Sequence, residues 1–235
     1  MKKQKLPIDL ITVNTNRVQD GINALNFSSK EIEFNNILLL SNEDVYGNFN
    51  LVKIKKLNNV EDYNKIILSL NNYISSDFAL VIQHDGHVIN PSKWSKNFLN
   101  YDYIGAPWPN NKKWNKRWDS YEEGDIIKKN LNKNRIGNGG FSLRSKKFLE
   151  YSTKFNEIDL PEDIFLNLYN YDIAVENNIL YPDISTAIQF SYETPLSSRS
   201  NEKDVKFRFL NKKKHFGWHG ERFLNSNKLI NLKNN

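Results

Sequence analysis

Two dense apolar runs, Ile8 to Val13 and Phe78 to Ile82, each stop abruptly in a cluster of polar side chains. Unbroken runs of β-branched and aliphatic residues, without alternation, mark strands buried on both faces. The first gives way to Asn14-Thr15-Asn16-Arg17 and the second to Gln83-His84-Asp85-Gly86-His87. Two further strands are predicted at Asn36 to Ser41 and Leu51 to Ile54, with the short polar connection Ser41-Asn42-Glu43-Asp44 between them. From Asn59 to Ile74, the apolar residues Val60, Tyr63, Ile66, Ile67, Leu70 and Ile74 recur at three- and four-residue spacing, which predicts a helix. Strand, helix and strand in that order imply an α/β chain with a mostly parallel, right-handed sheet and helices on its faces. Such sheets bind ligands beyond the carboxyl ends of their strands, where both polar clusters are expected.

The second half is less regular. Pro91 to Leu99 reads as a short helix, and Tyr101 to Trp108 as a short strand broken by Gly105-Ala106-Pro107. Asn110 to Asn134 is polar, charged and without steady periodicity, and is expected to be a long loop near the site. Leu143 to Phe155 and Pro161 to Tyr169 read as helices. No internal repeat or linker divides the chain, so one domain is expected over 1–235. Within it three parts are expected, about 6–90, about 91–222 and a C-terminal tail at 223–235. The stretch from Lys203 onward is basic and rich in Asn.

Composition narrows the chemistry. The 235 residues include no Cys, which excludes disulfides, thiolate metal sites and a cysteine nucleophile, and makes a cytoplasmic setting the expectation. No run of about 18 apolar residues occurs and no apolar stretch follows the basic start, so neither a membrane span nor a signal peptide is predicted. Peripheral contact with a membrane carrying a lipid-linked acceptor stays open, as does the oligomeric state. The net charge of +6 suits a nucleotide diphosphate, a nucleic acid or an acidic membrane equally well. Scattered Lys residues with no recognised motif argue against nucleic acid. Trp94, Trp108, Trp114 and Trp118 cluster in one region, as sugar-stacking surfaces or as plain core.

Four segments can carry a reaction. Asp85 ends a strand at the open edge of the sheet, where a carboxylate is held rigidly. A hard cation such as Mn²⁺ or Mg²⁺ takes oxygen ligands and keeps waters and substrate phosphates in its shell, so one or two protein ligands suffice. Asp85 is the first candidate ligand, although an Asp-Gly pair also caps turns with no metal present. His84 and His87 have His-x-x-His spacing, but residues three apart on a strand face opposite sides and are not expected to converge. Gly137, Gly139 and Gly140 in the Ile136 to Ser145 segment allow close backbone approach to a ligand, or simply a turn before a helix. Neither a phosphate loop nor a dinucleotide motif is present there. Glu162 and Asp163 open a helix whose dipole stabilises their charge, and Asp163 is the preferred general base. His219, between Gly217 and Gly220, is a candidate metal ligand or a structural imidazole.

Taken together, Gln83 to Gly86, Tyr103-Ile104-Gly105-Ala106-Pro107-Trp108, Gly137 to Arg144, Pro161-Glu162-Asp163 and the late Gly217-Trp218-His219-Gly220 form a specific pattern. From about Leu10 to Gly220 the chain resembles the DUF5672 family, whose members are regarded as GT-A type glycosyltransferases. The resemblance implies a GT-A (Rossmann-like) nucleotide-diphospho-sugar transferase fold, with a nucleotide-binding part at about 6–90 and an acceptor and catalytic part at about 91–222. It implies metal-dependent transfer of a sugar from a nucleotide-diphosphate donor to a hydroxyl of a glycan or glycoconjugate. Gln83-His84-Asp85 would take the place of the Asp-x-Asp motif, with Asp85 as the final metal-binding carboxylate and Gln83 an uncharged replacement for the first. Thr12, Asn14 and Asn16 would contact the nucleotide with Gln83 and His84, while Trp108, Gly139, Gly140 and Arg144 would face acceptor or phosphate. Glu162 and Asp163 resemble the base region of inverting β-galactosyltransferase-like enzymes, and His219 their late metal-binding histidine. The rival reading is a catalytically inactive sugar- or nucleotide-binding protein of the same fold, which would not need Asp85, Asp163 and His219 to converge.

Overall fold

In the computed structural model, residues 3–156, 158–193, 196 and 215–220 are described; the tail expected at 223–235 and the basic stretch from Lys203 to residue 214 lie outside them. Six strands form the central sheet: β1 (Gln4–Val13), β2 (Ile32–Ser41), β3 (Asn50–Lys53), β4 (Phe78–Ile82), β6 (Tyr103–Gly105) and β7 (Phe141–Ser145). Their order is β3-β2-β1-β4-β7-β6. The pairs β1/β2, β2/β3 and β1/β4 are parallel, and only β7 runs against its neighbours. The chain therefore builds outward from β1 on one side and returns to β4 on the other, which creates a switch point at the carboxyl ends of β1 and β4.

β1 explains why the sheet holds together. Its last six residues are all buried, including Asp9 and Thr12. Asp9 accepts hydrogen bonds from Asn36 of β2 and from Ser75 and Ser76 before β4, tying three segments together. Burial alone would raise its carboxyl, but these four donors outweigh it and hold the pKa below the usual value.

The helices are α1 (Val18–Ser28), α2 (Val60–Leu68), α3 (Lys112–Asn115), α4 (Gly124–Leu131), α5 (Lys146–Ser152), α6 (Glu162–Ile164), α7 (Tyr171–Glu176) and α8 (Ile184–Phe190). Asn59 caps α2 by accepting from the Asp62 N–H at 2.8 Å, and Ser145 caps α5 by accepting from Phe148. Helix α6 runs into a π-helical turn over Phe165–Tyr169, a local distortion that recurs near functional sites. A second, small sheet has the order β5-β9-β8, from β5 (Gly86–Val88), β8 (Ser191–Tyr192) and β9 (Gly217–His219).

Two expectations are corrected, and one helix leaves no signal in the sequence. Leu143 to Phe155 is not one helix: Phe141–Ser145 pairs with β4, and the helix starts only after the Ser145 cap. Phe141-Ser142-Leu143-Arg144 does alternate apolar and polar residues as a strand can, yet all five residues of the strand are buried, the polar ones included. The stretch from Asn110 to Asn134 is not structureless, since α3, the 3₁₀ turn Lys116–Ser120 and α4 fold Trp118, Ile127 and Leu131 into a second apolar cluster with Trp108. Helix α1 escapes a search for large apolar residues because one of its buried positions is Gly21, against which the Asn14 side chain packs.

Candidate functional site

A pocket of about 420 Å³ opens at the switch point. Val13 to Arg17 after β1 form one wall, Gln83 and His84 after β4 another, and Leu57 to Val60 with Tyr63 of α2 a third. No Asp or Glu is among its described lining residues, so an anionic ligand meets no like charge there. Asn14 and Asn16 lie in the wall as the sequence predicts, but Thr12 is fully buried beneath it and accepts a hydrogen bond from Asn14 at 2.8 Å. Thr12 thus orients a wall residue and does not itself face the pocket. Arg17 pairs with Asp20 and donates to His84 Nε2 at 2.7 Å, which fixes His84 as an acceptor at that nitrogen.

Behind Gln83 the polar groups become closely interlocked. Gln83 Nε2 donates to the Tyr63 hydroxyl at 3.1 Å, and its Oε1 lies 3.2 Å from His219 Nε2. The same imidazole nitrogen is 3.3 Å from Asp85 Oδ1, and Nδ1 on the far side of the ring is 3.6 Å from Glu193 Oε1. Burial lowers the His219 pKa by itself, but the two facing carboxylates overcome it and raise the value to about 10. Asp85 responds in the complementary sense: burial raises it, the contact with His219 outweighs burial, and the net value falls below the usual one.

The residues here fit a hard cation. Asp85 Oδ1 is buried and makes no hydrogen bond among the described residues, leaving an oxygen with lone pairs to offer beside the imidazole. Adjacent ligands of an octahedral ion with bonds of about 2.1 Å lie about 3 Å apart, close to the spacing of Asp85 Oδ1 and His219 Nε2. No group of three His, Asp or Glu among the described residues gathers as a metal cluster, so waters and phosphate oxygens would fill the other positions. His87 takes no part. Its ring stands edge-on to Phe27, and burial drives its pKa down to about 4.

Gly139 and Gly140 join this group to the candidate base. A β-carbon on Gly140 would lie 2.0 Å from His219 Nε2, and one on Gly139 would lie 2.7 Å from Glu162 Oε1 and 3.0 Å from the Asp163 Cβ. Only glycine fits at either position. The Gly139 N–H donates to Asp163 Oδ2 at 3.0 Å, and the Ile164 N–H to Oδ1 at 2.9 Å. Burial, reinforced by the neighbouring Glu162, nevertheless pushes the Asp163 carboxyl up to about 7 against the pull of those donors.

Two expected contacts resolve differently. Arg144 is fully buried and forms a bidentate ion pair with Glu162 at 2.9 and 3.2 Å, while its Nε donates to Ser142. Both charges are committed to each other, so the approach of Arg144 to acceptor or phosphate and the use of Glu162 as a base give way to a structural tie beneath Asp163. Trp108 is 3% exposed and packs against Trp118 and Gly137, so its ring fills the second core and offers no open face to a sugar. The sequence reading missed Tyr63 and Glu193. Tyr63 sits at helical apolar spacing and was indistinguishable from core, and no local pattern surrounds Glu193.

Comparison with known proteins agrees with this architecture. The galactosyltransferase LgtC, solved in complex with donor and acceptor sugar analogs, superposes with a TM-score of 0.52 at 11% identity, covering 97% of this chain and 95% of that one. An active-site mutant of LgtC gives 0.53 at 12% identity with the same coverage. The apo structure of the bifunctional glycosyltransferase WbbM gives 0.51 at 12% identity over 90% of this chain, which spans only 45% of that protein. At such identities the likeness shows the fold alone, and that fold is GT-A. No curated protein matches the sequence. Among the described residues no helix is long and apolar enough to cross a membrane. Residues 47–219 match the DUF5672 family, described as "Protein of unknown function", and the chain belongs to that family.

Proposed function

We propose that this chain is a glycosyltransferase that moves a sugar from a nucleotide-diphosphate donor to a hydroxyl acceptor with inversion at the anomeric carbon. One observation carries the reading. Consecutive glycines, whose α-carbons stand about 3.8 Å apart, join His219 with Asp85 on one side to Asp163 on the other, next to a pocket with no acid among its described lining residues. An inactive binding protein has no need of that convergence.

In this reading Asn14, Asn16, Gln83 and His84 bind the nucleotide, and Asp85 and His219 hold a Mn²⁺ or Mg²⁺ ion. Such an ion, when bound, supplies charge neutralisation to the diphosphate. Asp163 accepts the proton of the acceptor hydroxyl, the freed oxygen attacks the anomeric carbon, and the bond to the diphosphate breaks with both electrons leaving on the diphosphate oxygen. A carboxyl near pH 7 suits that task, because the base must be ionised in a useful fraction of molecules yet basic enough to take the proton.

The test is a thermal-shift and calorimetric screen against UDP, GDP, CDP and dTDP and their sugar conjugates, with and without Mn²⁺. A ligand at about 100 times its Kd adds ~2.7 kcal/mol of stability. Stabilisation by one nucleotide that requires Mn²⁺ is the expected result; silence across the panel would sink the reading. Product of retained anomeric configuration would remove Asp163 from the role of base while leaving donor binding intact.

A further inference from the structure

We infer that Glu193 is a positioning residue: it holds the Nδ1 side of His219 across the small sheet, so that Nε2 presents its lone pair on the Asp85 side. The inference rests on the proposed cation-holding role of Asp85 and His219.

The small sheet supplies the geometry. β9 is its middle strand, flanked by β5 on one side and β8 on the other. His219 is level with Gly86 of β5, immediately after Asp85. On the other side Tyr192 of β8 pairs in parallel with Trp218, which brings the next residue, Glu193, level with His219. Tyr192 and Trp218 also stack, with ring centroids 4.5 Å apart, and this locks the two strands in register. The imidazole is thus flanked by acid groups from both neighbouring strands, with Nε2 3.3 Å from Asp85 Oδ1 and Nδ1 3.6 Å from Glu193 Oε1.

A cation can bind Nε2 only in place of a proton there, which leaves the imidazole a single N–H, on Nδ1. An ionised carboxylate can only accept, so Glu193 favours a proton on Nδ1 and leaves the Nε2 lone pair for a cation. Glu193 is not placed to be a third ligand, because the ring stands between its carboxylate and the Nε2 side. Its other oxygen, Oε2, is buried without a hydrogen-bond partner among the described residues, and His219 Nδ1 likewise has none. Leaving a buried carboxylate oxygen without a partner costs free energy, which a role toward His219 would explain better than packing alone. The separation of 3.6 Å exceeds a good hydrogen bond, and contacts of this kind tighten when the site is filled.

The experiment measures Mn²⁺ affinity of the full chain, with free Mn²⁺ followed by electron paramagnetic resonance. It compares wild type, Glu193→Gln, Glu193→Ala, His219→Ala and the Glu193→Ala/His219→Ala double variant. Removing a group that orients a metal-bound histidine typically weakens binding about 10- to 100-fold, and that loss is expected for Glu193→Ala. Glu193→Gln keeps an acceptor oxygen for Nδ1–H and loses less, which also preserves the test if the alanine variant fails to fold. The decisive result is the cycle: once His219 is alanine, Glu193→Ala should change nothing further. An equal loss in both backgrounds, or no loss in either, overturns the role of Glu193. If wild type and His219→Ala hold Mn²⁺ equally, or neither holds it, the cation reading falls and this inference with it. A loss on His219→Ala alone overturns only the part given to Glu193.

Discussion

Asp85 and Asp163 flank the same pair of glycines, yet their surroundings push them in opposite directions. Asp85 faces an imidazole and is held below its usual pKa, while Asp163 is hemmed in beside a second carboxylate and rises to about 7. The Glu162 beside it is matched by Arg144, which leaves Asp163 without a cation of its own among the described residues. Burial is common to both sites, so the neighbour decides the outcome. Environments that separate two titrating groups in this way divide the labour of a reaction, one staying ionised to bind and the other exchanging a proton.

The most forceful way to break the contrast is Asp163→Asn. Turnover is expected to fall about 10²-fold or more, because a positioned base typically contributes that much, while calorimetric nucleotide affinity stays unchanged. Activity within a few-fold of wild type would show that the proton goes elsewhere. Next in size is Arg144→Met, which strands the Glu162 carboxylate in the interior and is expected to cost about 3–5 kcal/mol in denaturant unfolding. Adding Glu162→Gln should recover most of the loss; a loss below about 1 kcal/mol in the single variant would mean that the pair is not sealed from water. The smallest effect concerns pH. Because folding raises the Asp163 pKa from 3.8 to about 7, the native state holds this proton where the unfolded chain has released it, so this group's contribution to stability declines as pH rises through that interval. Asp9 has the opposite sign: its folded pKa is lowered, and its contribution is lost as pH falls below about 4. Melting temperatures across pH 4 to 8 should therefore slope less steeply in Asp163→Asn than in wild type, and an unchanged slope would mean that Asp163 is not displaced from its ordinary value.

The two halves of the molecule also differ in how much of them could be read from sequence. β1, β4 and α2 declare themselves by continuous apolar runs or clear periodicity, and their polar ends gave the pocket residues Asn14, Asn16, Gln83 and His84. Those signals are local, since burial on both faces or along one helical stripe leaves its mark on neighbouring residues. β7 left only the short alternation Phe141-Ser142-Leu143-Arg144, and the burial of Arg144 depends on its ion pair with Glu162, which no pattern within the strand announces. Trp108 misled for a related reason: an indole that stacks on a sugar and one that fills a core have the same identity, and only the fold distinguishes them. Glu193 shows the limit most plainly, since its relation to His219 comes from strand pairing between segments that share no motif.

The small sheet has a consequence for how the protein is made. Gln83 and His219 meet although 136 residues separate them, and at ordinary rates of synthesis that stretch takes roughly 7–27 s to emerge. Throughout that interval the nascent chain can already possess β1, β4 and the walls between them, yet it lacks His219. On the proposed roles, the residues that would contact a nucleotide are thus synthesised well before His219, whose arrival is the last step in assembling the site.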